Sequence, residues 1–221
     1  MTLVSAHRCL TREDIEAAIA LGADYVEFDV QRCADGSLVL LHDPVDVAPP
    51  GTLTYAEALD LLAGRARAHL DLKIVGGEVP AVAQAVARLG TDRLLVTTLE
   101  DEGVRVVRAW AEAEGHDLLV GLSLGRGLRD IPVLHWIRIR FSELFPGIRY
   151  RHADANLAVA HHWLARLRVR RFARKHDLPL LVWTVDTPRS LEYWLRPGRA
   201  WLVTTNEPGL AMRLRADRLP S

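Results

Sequence analysis

Short β-rich runs alternate with segments of helical period along almost the whole chain, and this alternation restricts the fold to a parallel sheet with helical crossovers. The strands are predicted at Leu3–Arg8, Tyr25–Gln31, Ala68–Ile74, Arg93–Leu99, Leu118–Leu124, Ala155–His161, Leu180–Val185 and Trp201–Thr204. Helices fill the gaps. Thr11-Arg12-Glu13-Asp14 opens the first with a capping-box pattern, and Gly22, Gly90 and Gly115 stand where helices should stop. Ser37–Leu41 reads as an extra strand joined to the second through the turn signal Asp35-Gly36. Eight right-handed βα units close most readily into a (β/α)8 barrel, and 221 residues lie near the short end of that architecture. The expectation is therefore an α/β protein, a small TIM barrel in one domain spanning 1–221.

Composition excludes several other classes. With 49% hydrophobic and 25% charged residues the chain matches a soluble globular protein, and no apolar run approaches the ~20 residues of a membrane span. Met1-Thr2-Leu3-Val4 lacks the basic-then-apolar pattern of a signal peptide, so cytoplasmic residence is expected. The 28 basic and 28 acidic residues balance, which argues against general nucleic-acid binding. Their distribution is uneven: Arg138 to Lys175 holds ten basic residues against Glu143 and Asp154. That stretch is either a solvated helix face or a weak contact for anionic lipid or a phosphorylated partner. Within it, Trp136, Ile137, Ile139, Phe141, Leu144 and Phe145 fit either an interfacial membrane helix or an ordinary fifth barrel helix. Cys9 and Cys33 are too few for a disulfide framework and lack the spacing of a zinc site, so a metal would sit on oxygen.

The chemistry-bearing residues fall at strand ends, where a parallel barrel places its active-site groups. Residues two apart share a strand face, so Glu27 and Asp29 point together, and Asp71 with Lys73 repeats the arrangement one barrel strand later. Three neighbouring carboxylates form a hard oxygen cage suited to Mg²⁺ or Ca²⁺. Lys73 and Lys175 are the only lysines in a chain that otherwise uses arginine, which suggests a local need for a compact point charge beside phosphate at Lys73. His7 and His42 can supply a general base and a general acid, Asp43 can orient an imidazole, and Arg8 offers bidentate binding to phosphate.

In order, the chain reads His7-Arg8-Cys9, Gly22-Ala23-Asp24, Glu27-Phe28-Asp29, Asp35-Gly36, His42-Asp43, Asp71-Leu72-Lys73, Trp183-Thr184-Val185-Asp186 and Thr205-Asn206-Glu207-Pro208. This series resembles the glycerophosphodiester phosphodiesterase family. The resemblance implies a barrel that hydrolyses glycerophosphodiesters to glycerol 3-phosphate and an alcohol with a divalent cation. It makes His7 and His42 the acid/base pair and Glu27, Asp29 and Asp71 the metal ligands, with Arg8 and Lys73 on the phosphate. Trp183 becomes an aromatic wall beside substrate, or else a barrel-core tryptophan. Asn206 either reaches the pocket or caps the following helix, and the cap is the expectation. His161-His162 either line the pocket or lie on the surface.

Departures from the pattern bear on substrate and mechanism. Cys9 replaces a glycine where the backbone could need positive φ, Cys33 stands in place of the usual threonine, and the two thiols are either packed or paired. Asp71 replaces a glutamate and is one methylene shorter. Only Pro44 to Leu53 separates His42-Asp43 from the second helix, so no cap insertion covers the pocket. Asp-Leu-Lys with Trp183 and Asp186 is also similar to the related sphingomyelinase D barrels, which implies room for a lipid phosphodiester. The rival expectations are thus lipid headgroup cleavage and, if Cys9 spoils the site, a non-catalytic phosphodiester-binding barrel.

Overall fold

A computed structural model describes residues 1–125 and 146–218. Nine strands run in chain order: β1 Leu3–Ala6, β2 Tyr25–Arg32, β3 Leu38–Leu40, β4 Arg67–Leu72, β5 Leu94–Thr98, β6 Leu119–Leu124, β7 Leu157–His161, β8 Leu180–Trp183 and β9 Leu202–Thr205. Neighbours follow the order β1-β9-β8-β7-β6-β5-β4-β2, and a further parallel pairing of β1 with β2 closes the ring. This is the eight-stranded parallel barrel anticipated from the alternation. The extra strand β3 pairs antiparallel with β2 after the turn at Gly36, where φ is +87° and Asp35 accepts from both the backbone N–H and the hydroxyl of Ser37.

The helices carry the expected signals. Arg12–Ala20 begins with a full capping box between Thr11 and Asp14, and Tyr55–Leu62 with another between Thr54 and Glu57, each reciprocally satisfying backbone donors that a helix start leaves orphaned. Residues 41–54 contain no helix or regular strand, only an isolated bridge of Thr54 to Val39, so the short linker beside His42 adds no cap. After β7 a continuous helical stretch runs through His162–Leu164, a π-helical turn at Ala165–Val169, and Arg170–Lys175. Gly147–Ala153 is the helix before β7. Trp136, Ile137, Ile139, Phe141, Leu144 and Phe145, with the interfacial reading placed on them, lie outside the described residues.

Strand alternation divides the side chains into two compartments. On β2, Val26, Phe28 and Val30 face outward into the main core against the helices, while Tyr25, Glu27 and Asp29 face the barrel lumen. Burying each large outward side chain contributes roughly 1.5–3 kcal/mol. The lumen is layered. Tyr25, Leu95, Leu157, Leu181 and Leu202 form an apolar plug at the strand starts, whereas buried Ser5, His69, Thr97, Ser123 and Thr204 lie nearer the strand ends. Gly121 belongs to this interior because a Cβ there would come within 2.4 Å of Val159 Cγ2.

The strand ends correct several predicted boundaries. β1 stops at Ala6 rather than Arg8, because Arg8 turns into the left-handed region with φ +54°. The same turn overturns the concern about Cys9: the unusual backbone conformation belongs to Arg8, and Cys9 packs its thiol in the core, 3.7 Å from the Ala6 carbonyl. Cys9 and Cys33 are both free and buried.

Candidate active site

His7, Arg8, Glu27, Asp29, His42, Asp71, Lys73 and Trp183 all line one cavity of about 700 Å³ at the strand C-termini. Register brings the acidic residues together. Asp29 pairs with Asp71 across β2 and β4, and Glu27 lies two residues earlier on the same face of β2. One carboxylate oxygen from each of Glu27, Asp29 and Asp71 lies within 4.8 Å of the others. Lys73, just beyond β4, places Nζ 2.5 Å from Asp71 Oδ2 and 3.2 Å from Asp29 Oδ1. Burial opposes the lysine charge, but Asp71 and Asp29 hold its pKa above the usual lysine range.

Among the described residues Glu27 has no such lysine or arginine contact. Its Oε2 accepts the Arg8 backbone N–H at 2.5 Å, a bond aimed by the left-handed turn at Arg8. Burial, followed by the charges of Asp29 and Asp71, raises the Glu27 pKa well above the ordinary carboxylate value. Burial also raises that of Asp29, against the pull of Lys73. Asp29 Oδ2 is buried without a hydrogen-bond partner among the described residues. A buried carboxylate oxygen left bare inside a three-carboxylate cluster fits a hard divalent cation as its missing partner.

The histidines are oriented by different neighbours. His7 Nδ1 lies 2.8 Å from Asn206 Oδ1, and Asn206 is itself held by Asp186, which accepts its backbone N–H at 2.9 Å and its Nδ2 at 2.7 Å. Because the Asn206 amide nitrogen is spent on Asp186, its oxygen faces His7 and accepts the Nδ1 proton. His7 Nε2 is then bare and sits 3.9 Å from Glu27 Oε2. Burial, opposed by the Asn206 hydrogen bond, lowers the His7 pKa below the ordinary imidazole value. His42 has Nδ1 2.8 Å from Asp43 Oδ1 and Nε2 against Arg8 Nη2, while Gln31 Nε2 donates to its carbonyl at 3.0 Å. Arg8 Nε also lies 3.9 Å from Asp29 Oδ2, so this arginine spans the cluster and His42.

The expectation that Asn206 caps the final helix is overturned. That helix, Pro208–Ala216, has Glu207 at its N-cap and no side-chain cap bond, because Asp186 draws the Asn206 amide toward the barrel mouth instead. Sequence reasoning offered Asn206 to the pocket only as the lesser alternative, and missed Asp186 and the hold of both on His7. The available signal was their position just past β9 and β8, the two strands that precede the closing seam with β1. His161 and His162 separate: His161 lines the cavity with its ring 5.6 Å from Trp183 at 85°, whereas His162 is not among the lining residues. Trp183 forms part of the wall, and its buried indole N–H has no hydrogen-bond partner among the described residues. Beneath the cluster, burial keeps His69 neutral by lowering its pKa to about 3.

Residues 10–61 match the glycerophosphoryl diester phosphodiesterase family. That is the chain's family resemblance. The barrel of a glycerophosphodiester phosphodiesterase from Parabacteroides distasonis superposes over 98% of both chains with a TM-score of 0.74 at 17% identity. A second, from Agrobacterium tumefaciens, covers 98% of this chain and 100% of its own with a TM-score of 0.72 at 18% identity. An Oleispira antarctica phosphodiesterase in complex with the product sn-glycerol-3-phosphate gives a TM-score of 0.69 at 17% identity, covering 98% of this chain and 97% of that one. These likenesses establish a common fold. Among curated sequences, a Yersinia pseudotuberculosis protein described only as a candidate N-acetylmannosamine-6-phosphate 2-epimerase is 33% identical over 122 residues, or 55% of this chain. The chain spans about half the length of the curated relatives it matches, 51% in this case.

Proposed function

We propose that this barrel is a divalent-cation-dependent phosphodiesterase that hydrolyses glycerophosphodiesters to glycerol 3-phosphate and an alcohol. The supporting observation is the convergence of a bare imidazole nitrogen on His7, a second histidine, three carboxylates and two cationic side chains on one cavity. Glu27, Asp29 and Asp71 would hold Mg²⁺ or Ca²⁺, which supplies Lewis-acid stabilisation of phosphate charge. Arg8 and Lys73 bind non-bridging phosphate oxygens. His7 Nε2 accepts the proton of the nucleophile as its oxygen bonds to phosphorus. His42, oriented by Asp43, delivers a proton from Nε2 to the departing alcohol oxygen as the other P–O bond breaks. Before this step Arg8 turns from His42 to the phosphate, and the freed Nε2 takes up a proton from solvent, giving the imidazolium that Asp43 stabilises and that donates to the leaving oxygen. The Trp183 side chain walls the substrate side of the cavity.

Either water or the neighbouring glycerol hydroxyl serves as nucleophile, and a trapped cyclic phosphate identifies the second route. The linker after His42 adds no cap among the described residues, and this together with the cavity's apolar side, formed by Leu99, Val159, Leu181 and Trp183, also supports lipid-derived phosphodiesters as a second substrate class. The deciding assay follows glycerol 3-phosphate release from glycerophosphocholine, glycerophosphoethanolamine and lyso-lipids with Mg²⁺, Ca²⁺ or chelator. Substituting His7→Ala or His42→Ala should lower the rate ~10²–10⁴-fold. Full activity of the double variant, or activity indifferent to chelator, would refute the mechanism. Binding without turnover across all substrates and cations would instead support a non-catalytic phosphodiester-binding barrel. Cys9 no longer favours that alternative, since it packs away from the cavity lining.

A further inference from the structure

The acidic cluster rests on buried polar side chains to which the proposed reaction assigns no role. Ser5, His69 and Thr97 are only 0%, 3% and 2% exposed, yet each makes a specific polar contact in the lumen. Ser5 Oγ lies 3.2 Å from His69 Nδ1, and His69 Nε2 lies 3.0 Å from Thr97 Oγ1. Thr97 Oγ1 donates to Asp71 Oδ1 at 2.9 Å. The residues come from three strands, and the β4–β5 register sets Thr97 directly opposite Asp71.

Counting protons gives the chain a direction. Thr97 has one hydroxyl proton, which goes to the Asp71 carboxylate, so its oxygen must accept from His69 Nε2–H. An imidazole this deeply buried and flanked by two hydroxyls is neutral, so Nδ1 is bare and accepts the Ser5 hydroxyl proton. All three donors point toward Asp71.

We propose that Ser5, His69 and Thr97 form a one-way positioning chain that fixes Asp71 Oδ1 and thereby presents Oδ2 to a divalent cation at the Glu27–Asp29–Asp71 cluster. This inference rests on the cation site proposed above and assigns that site its supporting shell. Thr97 occupies Oδ1, while Oδ2 faces Lys73 Nζ. The aspartate is thus held from both sides, and its short arm has one bearing toward the cluster. Partners that orient a metal ligand typically contribute ~10–100-fold to metal affinity. Removing the Thr97 hydroxyl frees Asp71 to rotate and leaves the His69 Nε2–H without its acceptor.

The test is calorimetric titration of the full chain with Mg²⁺ and with Ca²⁺, independent of turnover. Thr97→Val should weaken cation binding ~10–100-fold, whereas Thr97→Ser, which keeps the hydroxyl, should stay within about threefold of wild type. Ser5→Ala touches the chain only at its far end and should weaken binding measurably but less than Thr97→Val, which keeps the test available if the valine variant does not fold. Long-range ¹H–¹⁵N spectra should show His69 protonated at Nε2 and bare at Nδ1. Wild-type affinity in Thr97→Val, or in Ser5→Ala where the valine variant does not fold, equal impairment by valine and serine at 97, or the opposite His69 tautomer would overturn the chain. If wild-type protein binds neither cation, the cation site itself fails; if it binds and Thr97→Val binds equally well, only the positioning role fails.

Discussion

Glu27→Gln should stabilise the cation-free protein at alkaline pH while removing its response to divalent cations. The Glu27 side chain is only 3% exposed, and its ligand oxygen lies within 4.8 Å of those of Asp29 and Asp71. At an effective dielectric of about 20, each ionised pair at that separation repels by ~3.5 kcal/mol. Lys73, at 2.5 and 3.2 Å, compensates Asp71 and Asp29 with attractions of ~5–7 kcal/mol each on the same scale. Glu27 has no comparable contact among the described residues, so burial first, and then the repulsion of Asp29 and Asp71, raise its pKa. The sign follows from proton linkage. A carboxyl whose folded pKa is raised stabilises fully below its unfolded value near ~4.3, and that contribution disappears as pH rises through the folded value.

In chelator, wild type should therefore lose about 3 kcal/mol more than the glutamine variant between pH 5 and pH 8.5, the scale of one repelling pair. For a chain of this size that corresponds to a relative Tm change of roughly 6–12 °C. Cation at about 100 times its Kd should restore ~2.7 kcal/mol to wild type at the alkaline pH and much less to the variant. Thermal melts followed by circular dichroism, at both pH values with and without cation, read all of this. Equal pH sensitivity of the two proteins, or a full cation response in the variant, would refute the reasoning.

Asn206→Ala releases the His7 ring and should lower kcat about tenfold, less than the ~10²–10⁴-fold of losing an acid/base group itself, with KM little changed; a rate within twofold of wild type removes Asn206 from the catalytic apparatus. Burial, followed by the Glu27 charge, pushes the Cys9 pKa up to about 12, so the thiol remains protonated and inaccessible at pH 8. Mass spectrometry after iodoacetamide treatment should find Cys9 unmodified in the native protein and alkylated after unfolding, and native labelling would contradict the packing. The Tyr150 hydroxyl donates to the Leu122 carbonyl at 2.7 Å and accepts the Val159 N–H at 2.9 Å. Tyr150→Phe leaves both buried groups unsatisfied and should cost about 2–4 kcal/mol in denaturant unfolding; an unchanged midpoint would show that the bridge contributes nothing.

The acidic cluster was legible because strand periodicity is local and has a fixed period of two. Glu27, Asp29 and Asp71 needed only correct strand assignment and adjacency to meet, and Lys73 needed only the position just past the strand end. Arg8 was less legible: its left-handed turn occurs at a residue with a Cβ, so no glycine marked where β1 would stop. Asn206 was misread for a different physical reason. Asn-Glu-Pro has the local chemistry of a helix start, but the tertiary bonds to Asp186 and His7 outweigh it, and these depend on the ring closing at β1 and β9. Local chemistry also marked Thr97 only as a strand threonine, because its bond to Asp71 depends on inter-strand register.

The closing seam also sets when a newly made chain can complete the setting of His7. His7 is made before the other reactive groups, and both histidines, the three carboxylates and Lys73 all precede position 74. The amide that aims His7 comes 199 residues later, beside the last strand. A nascent chain can therefore assemble most of these groups while the His7 ring remains unaimed. Under the proposed mechanism full turnover waits until β9 docks on β1, and the rate of hydrolysis would then report completion of the barrel.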